Sequence, residues 1–131
     1  MRINRSMDVV LLLLRVMFGG GMLYAHGWPK LMRLLGDDPI SFSDPFGVGP
    51  AASLGLAVFA EFLCSLLIIF GLFTRWAAIP LIITMVVAVF YVHMGDPFSK
   101  MEKGLMYLVP FICLLVAGGG WYSLDAQIRK V

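Results

Sequence analysis

Residues 8–36 read DVVLLLLRVMFGGGMLYAHGWPKLMRLLG, an apolar run long enough to cross a bilayer that carries Arg15 and His26 inside it. A cation near mid-membrane costs at least about 2.5 kcal/mol on insertion scales, so it faces a partner or a wet cavity and not lipid. On an α-helix Arg15, Gly19, Met22, His26, Lys30 and Arg33 follow steps of three and four and form one stripe. That stripe is the predicted inward face, and the element packed against it is expected to supply an acid.

Outward from this stretch the chain stays apolar. Of 131 residues 60% are hydrophobic and 14% charged, with a mean hydropathy of +0.91, which excludes an ordinary soluble domain of this length. A spanning helix needs about 20 apolar residues. Four such runs fit at residues 7–28, 51–73, 76–94 and 101–121, and too little chain remains for a second domain. The expected fold is therefore all-α, a single membrane domain over residues 1–131 built as an antiparallel bundle of four transmembrane helices. The net charge of +2 is spread along the chain and argues against a nucleic-acid partner. Arg2 and Arg5 mimic the start of a signal peptide, but the run after them is long, holds Arg15 and lacks a small-residue cleavage pattern, so it is read as retained. Cys64 and Cys113 fall inside apolar runs and read as reduced, buried small hydrophobes, with a thiol pair as the alternative.

Helix 1 is expected to stop near Trp28, with Pro29 opening a new turn and PKLMRLLG lying in the membrane interface. The stretch DDPISFSDPFGVGP is turn chemistry with three apolar residues, Ile40, Phe42 and Phe46, and reads as a flap over the bundle end or as a mobile loop. Helix 2 carries Glu61 near its middle. GLFTRWAA then allows only a tight hairpin, so helices 2 and 3 are antiparallel neighbours. His93 closes helix 3, and helix 4 carries Glu102, Tyr107 and Pro110. Four spans put both termini and the 2–3 turn on one side. Arg2, Arg5, Arg75, Arg129 and Lys130 on that side, against Lys30, Arg33, Lys100 and Lys103 opposite, lean toward cytoplasmic termini in a multi-pass inner-membrane protein. Trp28, Trp76 and Trp121 sit at the predicted span ends as interface anchors.

With a rise of about 1.5 Å per residue, Arg15 and Glu61 come to within a few ångströms of the same depth, and they are the expected ion pair. Two readings of that pair compete: a contact that fixes helix register, or a proton-handling carboxylate beside a cavity. The same arithmetic brings His26, His93 and Glu102 to one depth on the loop side, with Tyr24, Tyr91 and Tyr107 near that level. Two histidines, a carboxylate and tyrosines suit a quinone headgroup, whose reduction needs proton donors at both carbonyls. Metal binding by His26, His93 and Glu102 or Glu61, and haem ligation by the two histidines, are weaker readings, because no tight ligand spacing or haem-cleft feature accompanies them.

The segments LRVMFGGGMLYAHGWPKL, EFLCSLLIIFGLFTRWAA, YVHMG and EKGLMYLVPFICLLVAGGGWYSLD together resemble the DoxX family of small four-helix membrane proteins, over almost the whole chain. Arg15, the His26–Gly27 step, Glu61 and the GGGWYSLD ending are the most specific parts. The family's usual Gly-Pro-Gly is replaced here by Gly118, Gly119 and Gly120. The family takes its name from a subunit of a thiosulfate:quinone oxidoreductase, and other members are linked to membrane redox complexes, sulfur stress and quinone resistance. The resemblance implies a redox role and maps polar positions onto Arg15, His26, Lys30, Glu61, His93 and Glu102.

The expected protein is a membrane redox subunit that works with a partner oxidoreductase and binds a quinone or similar molecule between its helices. His26, His93 and Glu102 would contact the headgroup, with Tyr107 nearby and Lys30 within reach. Glu61 would accept protons, and Arg15 would hold it ionised. The glycines at 19–21 and 118–120 suit helix contacts within a protomer or in a homo-oligomer. A non-catalytic module that carries a small molecule or metal, or anchors a partner enzyme, is the alternative.

Overall fold

The computed structural model describes residues 4–130, which form helices and connecting turns with no strand among them. Among the described residues three helices are long and apolar enough to cross a membrane: α1 at Arg5–Leu35, α2 at Pro50–Phe70 and α3 at Thr74–Val92. A fourth long helix, α4, runs over Phe98–Ala117, and a short α5 follows at Leu124–Lys130. The first turns of α4 carry Lys100, Glu102 and Lys103, and the apolar part that follows them is about 14 residues or about 21 Å long. Each long helix packs on the next, and α4 returns to α1.

Helix 1 does not stop at Trp28. It continues through Pro29 to Leu35, and the wide turn at Leu23–Gly27, just ahead of the proline, is where the hydrogen-bond ladder adjusts to the missing N–H. This continuity carries Lys30 into the bundle on the same rod as Arg15. Wide i→i+5 turns recur at Arg15–Gly19, Phe59–Cys64 and Ala88–Val92, so each one contains or adjoins one of Arg15, His26, Glu61 and His93.

The core is Leu11, Met22, Cys64, Ile68, Leu81, Met85, Phe111 and Leu114 with Ala77 and Ala78. Lipid is as apolar as these side chains, so close contact and hydrogen bonding hold such helices together. Gly27 shows how close: a Cβ there would collide with the Glu61 carbonyl oxygen. Only glycine lets α1 and α2 cross at that point.

Arg15 is buried, as its place on the inward stripe predicts, but it does not pair with Glu61. Its Nε donates to the Ile68 carbonyl at 3.0 Å, Nη2 to Ile69 at 2.9 Å, and Nη1 to Gly119 at 3.1 Å and Tyr122 at 2.9 Å. The physical reason is that α2 ends there. Its last carbonyls have no i+4 helical partner, and the negative end of the helix dipole favours a cation. Asp125 adds attraction at longer range while accepting from the Phe73 and Thr74 amides at the start of α3, at 2.7 and 2.9 Å. Asp8 accepts from the Trp121 amide at 3.0 Å. Between α2 and α3 the expected tight hairpin forms: Gly71 adopts φ 71°, and the Leu72 amide reaches back to the Leu67 carbonyl at 2.9 Å.

At the opposite end residues 36–49 fold back over α2 and α3. The Arg33 guanidinium donates to the Ser41 carbonyl at 2.6 Å and lies 5.6 Å from the centre of the Phe42 ring. Asp44 accepts from the Val48 and Gly49 amides and from the Ser53 hydroxyl, at 2.8 to 2.9 Å, and so ties the loop to the first turn of α2. The Ser53 hydroxyl foremost, and then those amides, hold the Asp44 carboxyl below its ordinary range.

Candidate functional site

A cleft of about 440 Å³ lies between α2 and α3 under this flap, within the size range of small-molecule sites. Phe42 and Phe46 roof it, and Leu56, Phe59, Ile83 and Val87 form its long apolar sides. Its polar points are few: Ser43, Ser53, Thr84, Lys30, Glu61 and His93.

Glu61 sits in the wide turn of α2 with its side chain 2% exposed. Lys30 Nζ reaches it from α1 and meets Oε1 at 2.6 Å. The second oxygen, Oε2, is buried and has no hydrogen-bond partner. An ionised carboxylate offers about four lone-pair sites, and an unpaired buried oxygen costs about 1–3 kcal/mol or more. The pair is therefore chemically incomplete: a paired ammonium and an unsatisfied acceptor lie side by side on the wall of an apolar cleft. A ligand with its own O–H or N–H would complete it. His93 stands at the loop end of the same cleft, its Nδ1 at 3.1 Å from Asp96 Oδ2.

The expected cluster of His26, His93 and Glu102 is not assembled. His26 faces α4, where its ring meets Tyr107 edge-on with centroids 5.7 Å apart, while His93 belongs to the α2–α3 cleft. The wide turns in α1 shift its side chains around the axis, which a constant helical step does not anticipate. His26 Nε2 is buried without a partner. Glu102 is exposed and lines neither feature, and Tyr24 and Tyr91 point outward, 83% and 61% exposed. Tyr107 is the one of the three tyrosines packed inward, between Phe18, His26 and Phe111. No group of three His, Cys, Asp or Glu side chains is placed to hold a metal among the described residues. Cys64 is a buried free thiol, whereas Cys113, expected to be buried, is exposed on the outer face of α4.

Of the sequence-predicted residues, the structure thus brings together Lys30, Glu61 and His93, places Arg15 at the far end, and sets His26 and Tyr107 apart. Sequence reasoning missed the Lys30–Glu61 pairing, the Asp44 tie and the Asp8 and Asp125 clamps. The one available signal was that Lys30 lies on the stripe of Arg15 and His26.

Comparison with known proteins agrees in extent with this architecture. The DoxX family model matches residues 10–94. A Haemophilus influenzae protein described as uncharacterized is 34% identical over 95 residues, 69% of this chain and 63% of that protein, so the chain spans less than two thirds of that relative's length. A second uncharacterized protein from the same organism is 32% identical over 116 residues, 83% of this chain and 84% of its own. A Bacillus subtilis protein named "Putative oxidoreductase CatD" is 28% identical over 128 residues, 97% of this chain and 92% of its own. No solved structure matches the chain. Because the family model covers most of α1 and all of α2 and α3, with both members of the buried ion pair, the chain belongs to the DoxX family.

Proposed function

We propose that this protein is a single four-span domain of the inner membrane whose α2–α3 cleft binds a quinone or a similar small redox-active molecule, as one subunit of a membrane redox system. The observation that carries the reading is the half-satisfied Lys30–Glu61 pair on the wall of an otherwise apolar cleft. A flat ring with polar groups at its edge fits such a wall: the Lys30 ammonium would donate to a carbonyl oxygen of the oxidised ring, and Glu61 Oε2 would accept from a hydroxyl of the reduced one. A quinone supplies the electron-accepting chemistry. The chain's own residues bind and orient the ring, exclude water beneath the flap, and hold protons at Glu61 and His93. Electrons enter from a partner protein or from thiols. A relative named as an oxidoreductase adds support.

Extraction and mass spectrometry of the purified protein test this reading. The expected result is a quinone retained near one per chain and lost in Glu61→Gln, with helicity unchanged. A folded protein that carries no quinone and takes none up from solution would leave a non-catalytic carrier or an anchor for a partner enzyme as the better reading.

A further inference from the structure

The cleft is not a sealed chamber. The cleft is lined on α2 from Ser53 to Glu61, about 12 Å along the axis, and Glu61, the eleventh residue beyond Pro50, puts its deep end about 16 Å below the start of that helix, more than half the depth of a hydrocarbon core. Its far wall follows α3 from His93 down to Pro80. At the loop end the flap covers it, held by the Asp44 and Arg33 contacts. Sideways it is open. Leu56, Phe59 and Ile83 line the cleft and are also 54%, 48% and 52% exposed, so these side chains belong both to the cavity wall and to the outer face of α2 and α3. In a bilayer that outer face meets acyl chains.

An opening whose rim is Leu, Phe and Ile, at membrane depth, does not admit a water-borne polar solute. The charged pair of the cleft is Lys30 and Glu61, and Leu56, Phe59 and Ile83 at the opening are apolar. We infer that the occupant is a membrane-borne amphiphile: its polar ring engages Lys30 and Glu61, and an attached apolar chain leaves sideways between α2 and α3, across Leu56, Phe59 and Ile83. Those three residues then form a chain subsite that selects ligands by whether they carry a tail. This inference rests on the proposed quinone reading of the same cleft and adds the chain and its exit. Thr84 has a supporting place in it. Its hydroxyl donates to the Pro80 carbonyl at 2.8 Å and so is occupied within α3, which leaves the α3 side of the exit without a free donor.

The test compares two ligands with the same headgroup, ubiquinone-0 without a chain and decylubiquinone with one, in vesicles of uncharged phosphatidylcholine, with affinities expressed per concentration in the bilayer. Wild-type protein is expected to bind both. Ile83→Trp, which fills the opening, should weaken decylubiquinone at least about tenfold, the fold-change that about 1.4 kcal/mol corresponds to, and leave ubiquinone-0 within about twofold. Leu56→Trp provides the same block from the α2 side. Val116→Trp on the outer face of α4, where Val116 is 73% exposed, should change neither affinity. The chain exit is overturned if the two blocking variants weaken both ligands equally, or if neither variant discriminates between them. Failure of wild-type protein to bind either ligand would instead overturn the quinone reading.

Discussion

The two ends of this helix bundle each place a cation from α1 against α2, and they do so in opposite ways. At the terminal end Arg15 spends its guanidinium on four backbone carbonyls, and the acids nearby, Asp8 and Asp125, cap amides. At the loop end Lys30 meets Glu61 by one oxygen, and the titratable atoms Glu61 Oε2 and His26 Nε2 are buried without partners, whereas at the terminal end the buried atoms without partners are the neutral hydroxyls of Ser65 and Thr74 and the guanidinium itself is satisfied. A satisfied network rigidifies, whereas a half-satisfied one is costly and persists in natural proteins where something else completes it. The difference teaches that an intramembrane charge is not by itself evidence of a site. Whether its neighbours are complete decides the matter.

Breaking the terminal end should have the largest effect on folding. Arg15→Met removes four hydrogen bonds and strands buried carbonyls, for a loss of about 3–5 kcal/mol or failure to accumulate, measured by thermal unfolding in detergent. Arg15→Lys should recover little of that, because an ammonium lacks the planar fork that reaches carbonyls on two chain segments. At the loop end Gly27→Ala forces a Cβ against the Glu61 carbonyl, which should cost about 1–3 kcal/mol through overpacking and also weaken ligand binding by moving Lys30 away. Lys30→Met should destabilise the protein more than Glu61→Gln does. The first leaves a buried carboxylate unpaired, while the second leaves a lysine that is 21% exposed and able to turn toward the interface. Equal losses in the two variants would mean that the pair is structural in the same sense as Arg15.

The smallest effect concerns the flap. Asp44 has a folded pKa below its ordinary value, so its contribution is fully present above the ordinary value of 3.8 and is lost as pH falls below that toward the folded pKa. Hydrogen exchange at the Val48 and Gly49 amides should therefore accelerate below that value after correction for intrinsic rates, and Asp44→Asn should abolish the added pH dependence. Exchange that keeps the same corrected rate across this range in the wild-type protein would contradict the Asp44 tie.

Hydropathy made the helices legible, and the 3.6-residue stripe correctly turned Arg15, Gly19 and Met22 inward. The partners were not legible. Backbone carbonyls carry no sequence signal, so the four acceptors of Arg15 could not be read, and depth arithmetic assigned it the nearest acid instead. Pro29 read as the start of an interfacial piece, which hid the reach of Lys30 into the bundle. Wide turns rotate the residues beyond them off a regular stripe, and this separated His26 from His93 although both were placed at one depth. Asp44, Asp8 and Asp125 act as caps on amides distant in sequence or across a loop. No local pattern marks such contacts, apart from the short reach of Asp44 to Ser53.

A ligand titration of wild-type and Glu61→Gln protein, paired with thermal unfolding of both, tests the contrast between the two ends most directly. Decylubiquinone is expected to bind wild-type protein, and Glu61→Gln should bind it about tenfold or more weakly, the range of a lost charge-assisted hydrogen bond, while unfolding within a few degrees of wild type. A Glu61→Gln protein that binds as wild type does, or that loses stability as Arg15→Met does, would contradict it.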